Sequence, residues 1–129
     1  MAVTTDVSTT GQDDYSYGAV IQPDGKIVLG GVSGAGDCAL VRYTANGGLD
    51  TSFGTGGIVS LTTSTAGAVT EASRVAIQSD GKLLLAGRYY DGATNFVAVS
   101  RFTTAGVLDT SFGSSGRATV YVSRNTLNI

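Results

Sequence analysis

Apolar and polar positions alternate along this chain in short bursts separated by glycine-rich turns, and the bursts fall into two matching sets. Residues 73–78 and 82–88 carry the period of two that a half-buried strand requires. Between them Ser79-Asp80-Gly81-Lys82 reads as a tight hairpin turn. Asp80 can cap the turn through its own side chain, and Gly81 accepts the positive φ that such a turn demands. In residues 96–102, Phe96, Ala98, Ser100 and Phe102 share one face, and Val97, Val99 and Arg101 share the other. A turn-rich stretch, 103–116, then leads to a fourth strand at 117–122. The same four elements occur earlier, at 17–22, 26–32, 37–43 and 57–62, with Asp24 and Gly25 in the first hairpin. No segment combines a 3.6-residue period with caps and good helix formers, so no helix is expected.

The two sets are a true repeat. Val20-Ile21-Gln22-Pro23-Asp24-Gly25-Lys26-Ile27-Val28-Leu29-Gly30-Gly31 returns 56 positions later as Ala76-Ile77-Gln78-Ser79-Asp80-Gly81-Lys82-Leu83-Leu84-Leu85-Ala86-Gly87. Leu49-Asp50-Thr51-Ser52-Phe53-Gly54 returns unchanged 59 positions later, as Leu108 to Gly113. The extra residues of the second copy fall in one loop, 89–95, which is where a repeat array tolerates insertion. Four antiparallel strands in a unit of this length specify a β-propeller blade. The fold expected is therefore all-β, with two four-stranded antiparallel blades that complete a propeller by homo-oligomerisation. The run from Gln22 to Gly31, then Arg42-Tyr43, then Asn46-Gly47-Gly48-Leu49-Asp50-Thr51-Ser52-Phe53-Gly54, resembles the delta-60 repeat family of bacterial propeller-like proteins. That resemblance implies a propeller blade of no established activity, usually found in longer arrays. The second copy departs from the first at Ser79, where Pro23 stood, and at Ala105-Gly106-Val107 in place of Asn46-Gly47-Gly48.

The repeat also sets boundaries: an N-terminal arm at 1–12, one blade at 13–62, and a second blade with the C-terminal strand at 63–129. The 56-residue offset carries 58–62 back onto 2–6, with Val3 matching Val59, so a fourth-strand element occurs three times. This spare strand, through Val3 and Thr5, and the last strand, through Val120 and Val122, are the expected points of strand exchange between copies. Propellers run from about four to eight blades, and a repeat pair leaves its outer faces uncovered. The partner expected is the chain itself, with a six-bladed trimer favoured. A glycan or another structural protein is the further partner to test for.

Composition removes most chemistry. The 129 residues include no His, one Cys, 19 Gly and eight Lys or Arg, with a net charge of −2. Scattered basic residues give no footprint for nucleic acid, and no apolar run is long enough to insert in a membrane. Residues 1–6 lack the basic and apolar regions of a signal peptide. That points to a virion-associated or cytoplasmically made protein, or to a piece of a secreted one. Without His, neither a Ser-His-Asp mechanism nor an ordinary zinc site can be built. Cys38 aligns with Val97 and reads as a small core residue. Asp13, Asp14, Asp37 and Asp91 are oxygen donors without the spacing of a calcium loop, so no metal and no cofactor are expected.

Asp24 and Asp80 read as turn caps. Asp50 and Asp109 recur in both copies, and recurrence in every repeat marks structure, since catalysis needs one site per molecule. These aspartates are expected to cap backbone N–H groups, with Phe53 and Phe112 as plugs and Gly54 and Gly113 supplying open backbone geometry. Glu71 is the sole glutamate, so no glycosidase-like carboxylate pair is evident and no enzyme is expected. Tyr89, Tyr90, Asp91 and Asn95, in the variable loop that carries the insertion, are the candidates for a ligand such as a sugar. The function expected is a non-enzymatic structural or interaction module, as on a virion or cell surface. The alternatives are a lectin-like propeller and a fragment of a longer array.

Overall fold

A computed structural model of the chain describes residues 2–8, 11–62 and 64–121. Among the described residues are eight strands: β1 (Tyr15–Ile21), β2 (Ile27–Val32), β3 (Cys38–Tyr43), β4 (Ile58–Leu61), β5 (Glu71–Ile77), β6 (Leu83–Tyr90), β7 (Asn95–Phe102) and β8 (Arg117–Val120). They form two four-stranded antiparallel sheets, in the orders β1-β2-β3-β4 and β5-β6-β7-β8. Each sheet is a meander whose neighbours in sequence are neighbours in space, as in a propeller blade.

The two blades share more than strand order. The first strand of each carries a bulge at the same place, between Ser16 and Gly18 and between Ala72 and Arg74. Opposite these bulges stand Gly31 and Gly87, where the carbonyls of Tyr15 and Glu71 fill the space that a Cβ would need. Any larger residue would push the bulged strand away. The hairpin turns form as expected: Asp24 Oδ1 accepts from Lys26 N at 3.1 Å and Asp80 Oδ1 from Lys82 N at 3.1 Å. Gly25 and Gly81 sit at φ 84° and 86°.

Two expectations change. Strand β6 runs on through Tyr89 and Tyr90, which pair with Phe96 and Asn95, so the loop is shorter than the 89–95 expected. The aromatic residues favour continued strand pairing over loop conformation. Residues 2–6 form no strand. A lone strand has nothing to satisfy its backbone, and the arm folds back across β1–β3 instead, with Thr5 Oγ1 2.7 Å from the Tyr43 hydroxyl and Val7 N donating to Asp14 Oδ2 at 2.8 Å. Val3 is exposed there and Val120 is exposed on β8, while Val122 lies outside the described residues.

The core lies between the blades, where β5 packs on β1 and β2. Each blade has a trailing face, turned toward the blade that follows, and a leading face, turned toward the blade before it. Val28, Leu40 and Phe53 on the trailing face of the first blade meet Leu83, Leu85 and Phe102 on the leading face of the second. The linker residues Ala68 and Val69 close the gap. Cys38 belongs to the same core, and burial pushes its thiol up to about 11, so it stays protonated and inert.

At the seam the approach is close. A Cβ at Gly30 would lie 2.8 Å from Val75 Cβ, so the two sheets meet where one residue has no side chain. Gly30→Ala is expected to lower stability by about 1–3 kcal/mol through overpacking, and Val75→Ala in the same chain to restore part of the loss. Urea unfolding of the single and double variants measures this, and a neutral Gly30→Ala would mean that the sheets do not meet as closely as described.

Candidate functional site

The residues identical in both repeats converge on one cluster per blade, placed where strand β3 or β7 meets the following turn. In the first blade Asp50 is its centre. Its Oδ1 accepts from Ser52 N at 3.2 Å and Ser52 Oγ at 2.6 Å, which caps the turn as expected. Its Oδ2 takes Arg42 Nε at 2.8 Å and Lys26 Nζ at 3.2 Å. The Ser52 hydroxyl above all, helped by Ser52 N–H, Lys26 and Arg42 against the cost of burial, holds the Asp50 carboxyl well below its ordinary value. So anchored, the Arg42 guanidinium lies 4.6 Å over the Phe53 ring.

This cluster also grips the next blade. Arg42 Nη1 donates to Thr104 O at 2.7 Å and to Gln22 Oε1 at 3.1 Å. Gly54 N donates to Ala105 O at 2.9 Å. The Phe53 ring lies against Gly106, where a Cβ would be 2.7 Å from the ring edge. Phe53 is fully buried, the plug expected from its motif. Gly54, at φ 54°, lets the chain pass under the Ile58 carbonyl. The expected turn is thus present, but it doubles as a clasp between blades.

The second blade builds the same cluster without a blade to grip. Asp109 takes Arg101 Nε at 2.9 Å and Lys82 Nζ at 3.5 Å, and Ser111 caps it as Ser52 caps Asp50. The Ser111 hydroxyl is the largest influence and Arg101 adds to it, lowering the Asp109 carboxyl to about 2. Arg101 lies 4.5 Å over Phe112. Here, however, Phe112 is half-exposed, and Gln78 Oε1 is a buried side-chain atom with no partner among the described residues.

The sequence singled out the aspartates, phenylalanines and glycines of these clusters and missed Arg42, Arg101, Lys26, Lys82, Ser52, Ser111, Gln22 and Gln78. The signal was present, since all eight recur in register.

The aromatic loop behaves differently. Tyr89 turns into the molecule, stacking on Phe96 at 6.0 Å and lying 3.4 Å from the guanidinium of Arg117, which is tied to Ala68 O. Asp91 caps its own hairpin, accepting from Ala93 N at 2.9 Å and Thr94 N at 2.7 Å, and these backbone N–H groups lower its pKa. Asn95 and the exposed ring of Tyr90, whose hydroxyl donates to Gly92 O at 2.8 Å, stay available. They line a shallow depression of about 610 Å³ with Thr70, Glu71 and Arg88, the last two joined at 2.6 Å. No group of three His, Cys, Asp or Glu side chains among the described residues is placed to hold a metal ion.

Two meander sheets packed face to face through the Arg42–Phe53 clasp, with the same cluster repeated in the second sheet, define a pair of β-propeller blades. A family model described as "Domain of unknown function (DUF5122) beta-propeller" matches the chain over residues 22–53 and 78–112, together more than half its length, and the chain belongs to that family. Each matched stretch runs from the hairpin glutamine, Gln22 or Gln78, to the clasp phenylalanine, Phe53 or Phe112. No curated protein and no solved structure matches the chain.

The carboxylates of the clasps give a pH signature. Asp50 and Asp109 are lowered in the folded state, so folding favours their ionised form, and protonation must oppose it. Their contribution is complete above about pH 4 and is lost as pH falls toward 2, through the folded value of Asp109. Thermal melts between pH 5 and 2 are expected to show a steep fall in Tm. Asp50→Asn is expected to lower Tm at pH 7 and to flatten that slope, and to cost more than Asp109→Asn, because only Asp50 sits in the gripped clasp.

Proposed function

We propose that the chain is a non-enzymatic structural or interaction module that completes a β-propeller with further copies of itself, built on repeats of the delta-60 kind. The observation that carries this is the mismatch in burial between equivalent residues. Cys38 on the trailing face of the first blade is 1% exposed, and its counterpart Val97 on the trailing face of the second is 54% exposed. Conversely Ile21, on the leading face of the first blade, is 70% exposed, whereas its counterpart Ile77 packs against the core. Apolar faces of this kind are surface only until a neighbouring blade covers them. Three copies give six blades, within the range of closed propellers, and this is the stoichiometry we favour. In such an assembly the arm at 2–6 would exchange its intrachain contact between Thr5 and Tyr43 for the open edge of β8 beside Val120 in a neighbour.

The same reading accounts for the chemistry. Both clasp aspartates are consumed by capping and ion pairs, and the recurrence of each cluster suits a scaffold more than a reaction. Low charge and Thr/Ser/Gly-rich turns suit a component of a virion or cell surface. Where this chain forms part of a longer array, further repeats cover the same faces.

A second reading, a carbohydrate-binding propeller, is favoured by the Tyr90 depression, in which an exposed ring lies beside the Glu71–Arg88 pair and Asn95. A ring face flanked by polar groups is the usual means of holding a sugar.

Native mass measurement distinguishes these. The assembly reading expects multiples of the 13.0 kDa chain, with the trimer dominant, and a folded monomer at micromolar concentration sinks it. The carbohydrate reading expects a glycan that raises Tm and loses that effect in Tyr90→Ala.

A further inference from the structure

Within self-assembly, on which this inference rests, we propose a specific joint: the trailing face of the second blade docks head-to-tail on the leading face of the first blade of another copy, with the Arg101–Phe112 clasp gripping the turn at 45–47. The occupant is a second copy of this chain, and the joint inside the chain supplies its geometry.

The intramolecular seam is a template whose two halves are each present again, unused. Its gripping half is Arg42, Phe53 and Gly54, and the free counterparts are Arg101, Phe112 and Gly113. Its gripped half is Thr104, Ala105 and Gly106, and the free counterparts are Ala45, Asn46 and Gly47. The template therefore pairs Arg101 Nη1 with Ala45 O, Gly113 N with Asn46 O, and the Phe112 ring with Gly47.

Three observations fit this pairing independently. First, nothing lies within 4 Å of a Cβ placed on Gly47, whereas one on Gly106 would strike Phe53. Gly47 keeps the φ of 88° that Gly106 matches at 83°, so the turn is already shaped to receive a ring. Second, Gln22 Oε1 is satisfied by the Arg42 nitrogen that Thr104 O holds in place. Its counterpart, Gln78 Oε1, is buried and unpartnered among the described residues. A carbonyl from Ala45 would hold Arg101 Nη1 in the position from which Arg42 reaches its glutamine, and so remove a costly orphan.

Third, the side chains at the closest approach change together. Inside the chain Gly30 faces Val75. At the open joint the counterparts are Ala86 and Ala19. One side gains a methyl group where the other loses two, which keeps the volume near that of the seam. A face intended for water needs no such compensation.

This joint is heterologous, using a different surface from each partner, so it generates rings when the rotation closes. It also differs from a symmetrical pairing of like faces in a way that mixing reveals. Ala86→Arg blocks the trailing face and Ala19→Arg blocks the leading face, and neither residue is in the chain's own core. Every joint of a homogeneous ring contains one of each, so each variant alone is expected to be a folded monomer. Mixed in equal amounts, they share one unblocked pair of faces and are expected to form a 1:1 dimer that grows no further.

Circular dichroism checks the fold of each variant. Should either fail to fold, Phe112→Ala provides the second route. It is expected to weaken assembly about tenfold or more while leaving the single-chain melt close to wild type, whereas Phe53→Ala unfolds the chain. A wild-type chain that assembles while either Arg variant alone still dimerises, or while their mixture stays monomeric, overturns the joint and leaves self-assembly standing. A wild-type chain that never assembles overturns both.

Discussion

Phe53 stacks beneath Arg42, whose guanidinium is pinned by Asp50 and bonded at its far end to the carbonyl of Thr104, and this stack joins the two blades. A four-stranded meander has two apolar faces and cannot bury either by itself. The cluster solves two problems at once. It closes the turn after β3, whose backbone N–H groups need acceptors, and it projects one ring and one cation into the turn of the next blade. The charges are all internally compensated, so the seam can be apolar without leaving an ion alone in it. Glycine at 30 and 106 then allows the sheets to come within contact of a β-branched residue and an aromatic ring.

Much of this was legible in the chain. The strands followed from period-two alternation, the hairpins from Asp-Gly, and the number of blades from the repeat. The sidedness of 96–102 was correct as well, because Ala98, Ser100 and Phe102 are the buried set. Less legible was the double duty of the Asp-Thr-Ser-Phe-Gly motif. A turn cap can be inferred from local sequence, but a bond from Arg42 to Thr104 spans 62 positions and depends on how two sheets meet. The end of β6 was missed for a related reason. Tyr89 and Tyr90 carry no turn signal of their own, and only their cross-strand partners decide that they continue the strand. The arm at 2–6 shows the converse, since strand-like composition yields no strand when no edge is offered to it.

The repeat therefore carries more meaning than duplication. Residues shared by the copies are scaffold inside the chain, yet the second set is left without a blade to hold. Their burial differs between copies while their identity does not, and that difference locates the two surfaces that most need a partner. Differences between the copies are not all alike. Gly30 against Ala86, and Val75 against Ala19, differ in a compensating way. Tyr90 and Asn95 differ without compensation, which is why a ligand is sought there.

Amide hydrogen exchange at two equivalent glycines reads out whether the open clasp is filled by another copy. Gly54 N–H is bonded to Ala105 O within the chain, and Gly113 N–H is its counterpart at the open end. Gly54 is expected to be strongly protected at every concentration, and Gly113 to be equally protected when the chain is concentrated and to lose that protection on dilution. Free exchange at Gly113 under all conditions, beside a protected Gly54, would contradict filling by another copy.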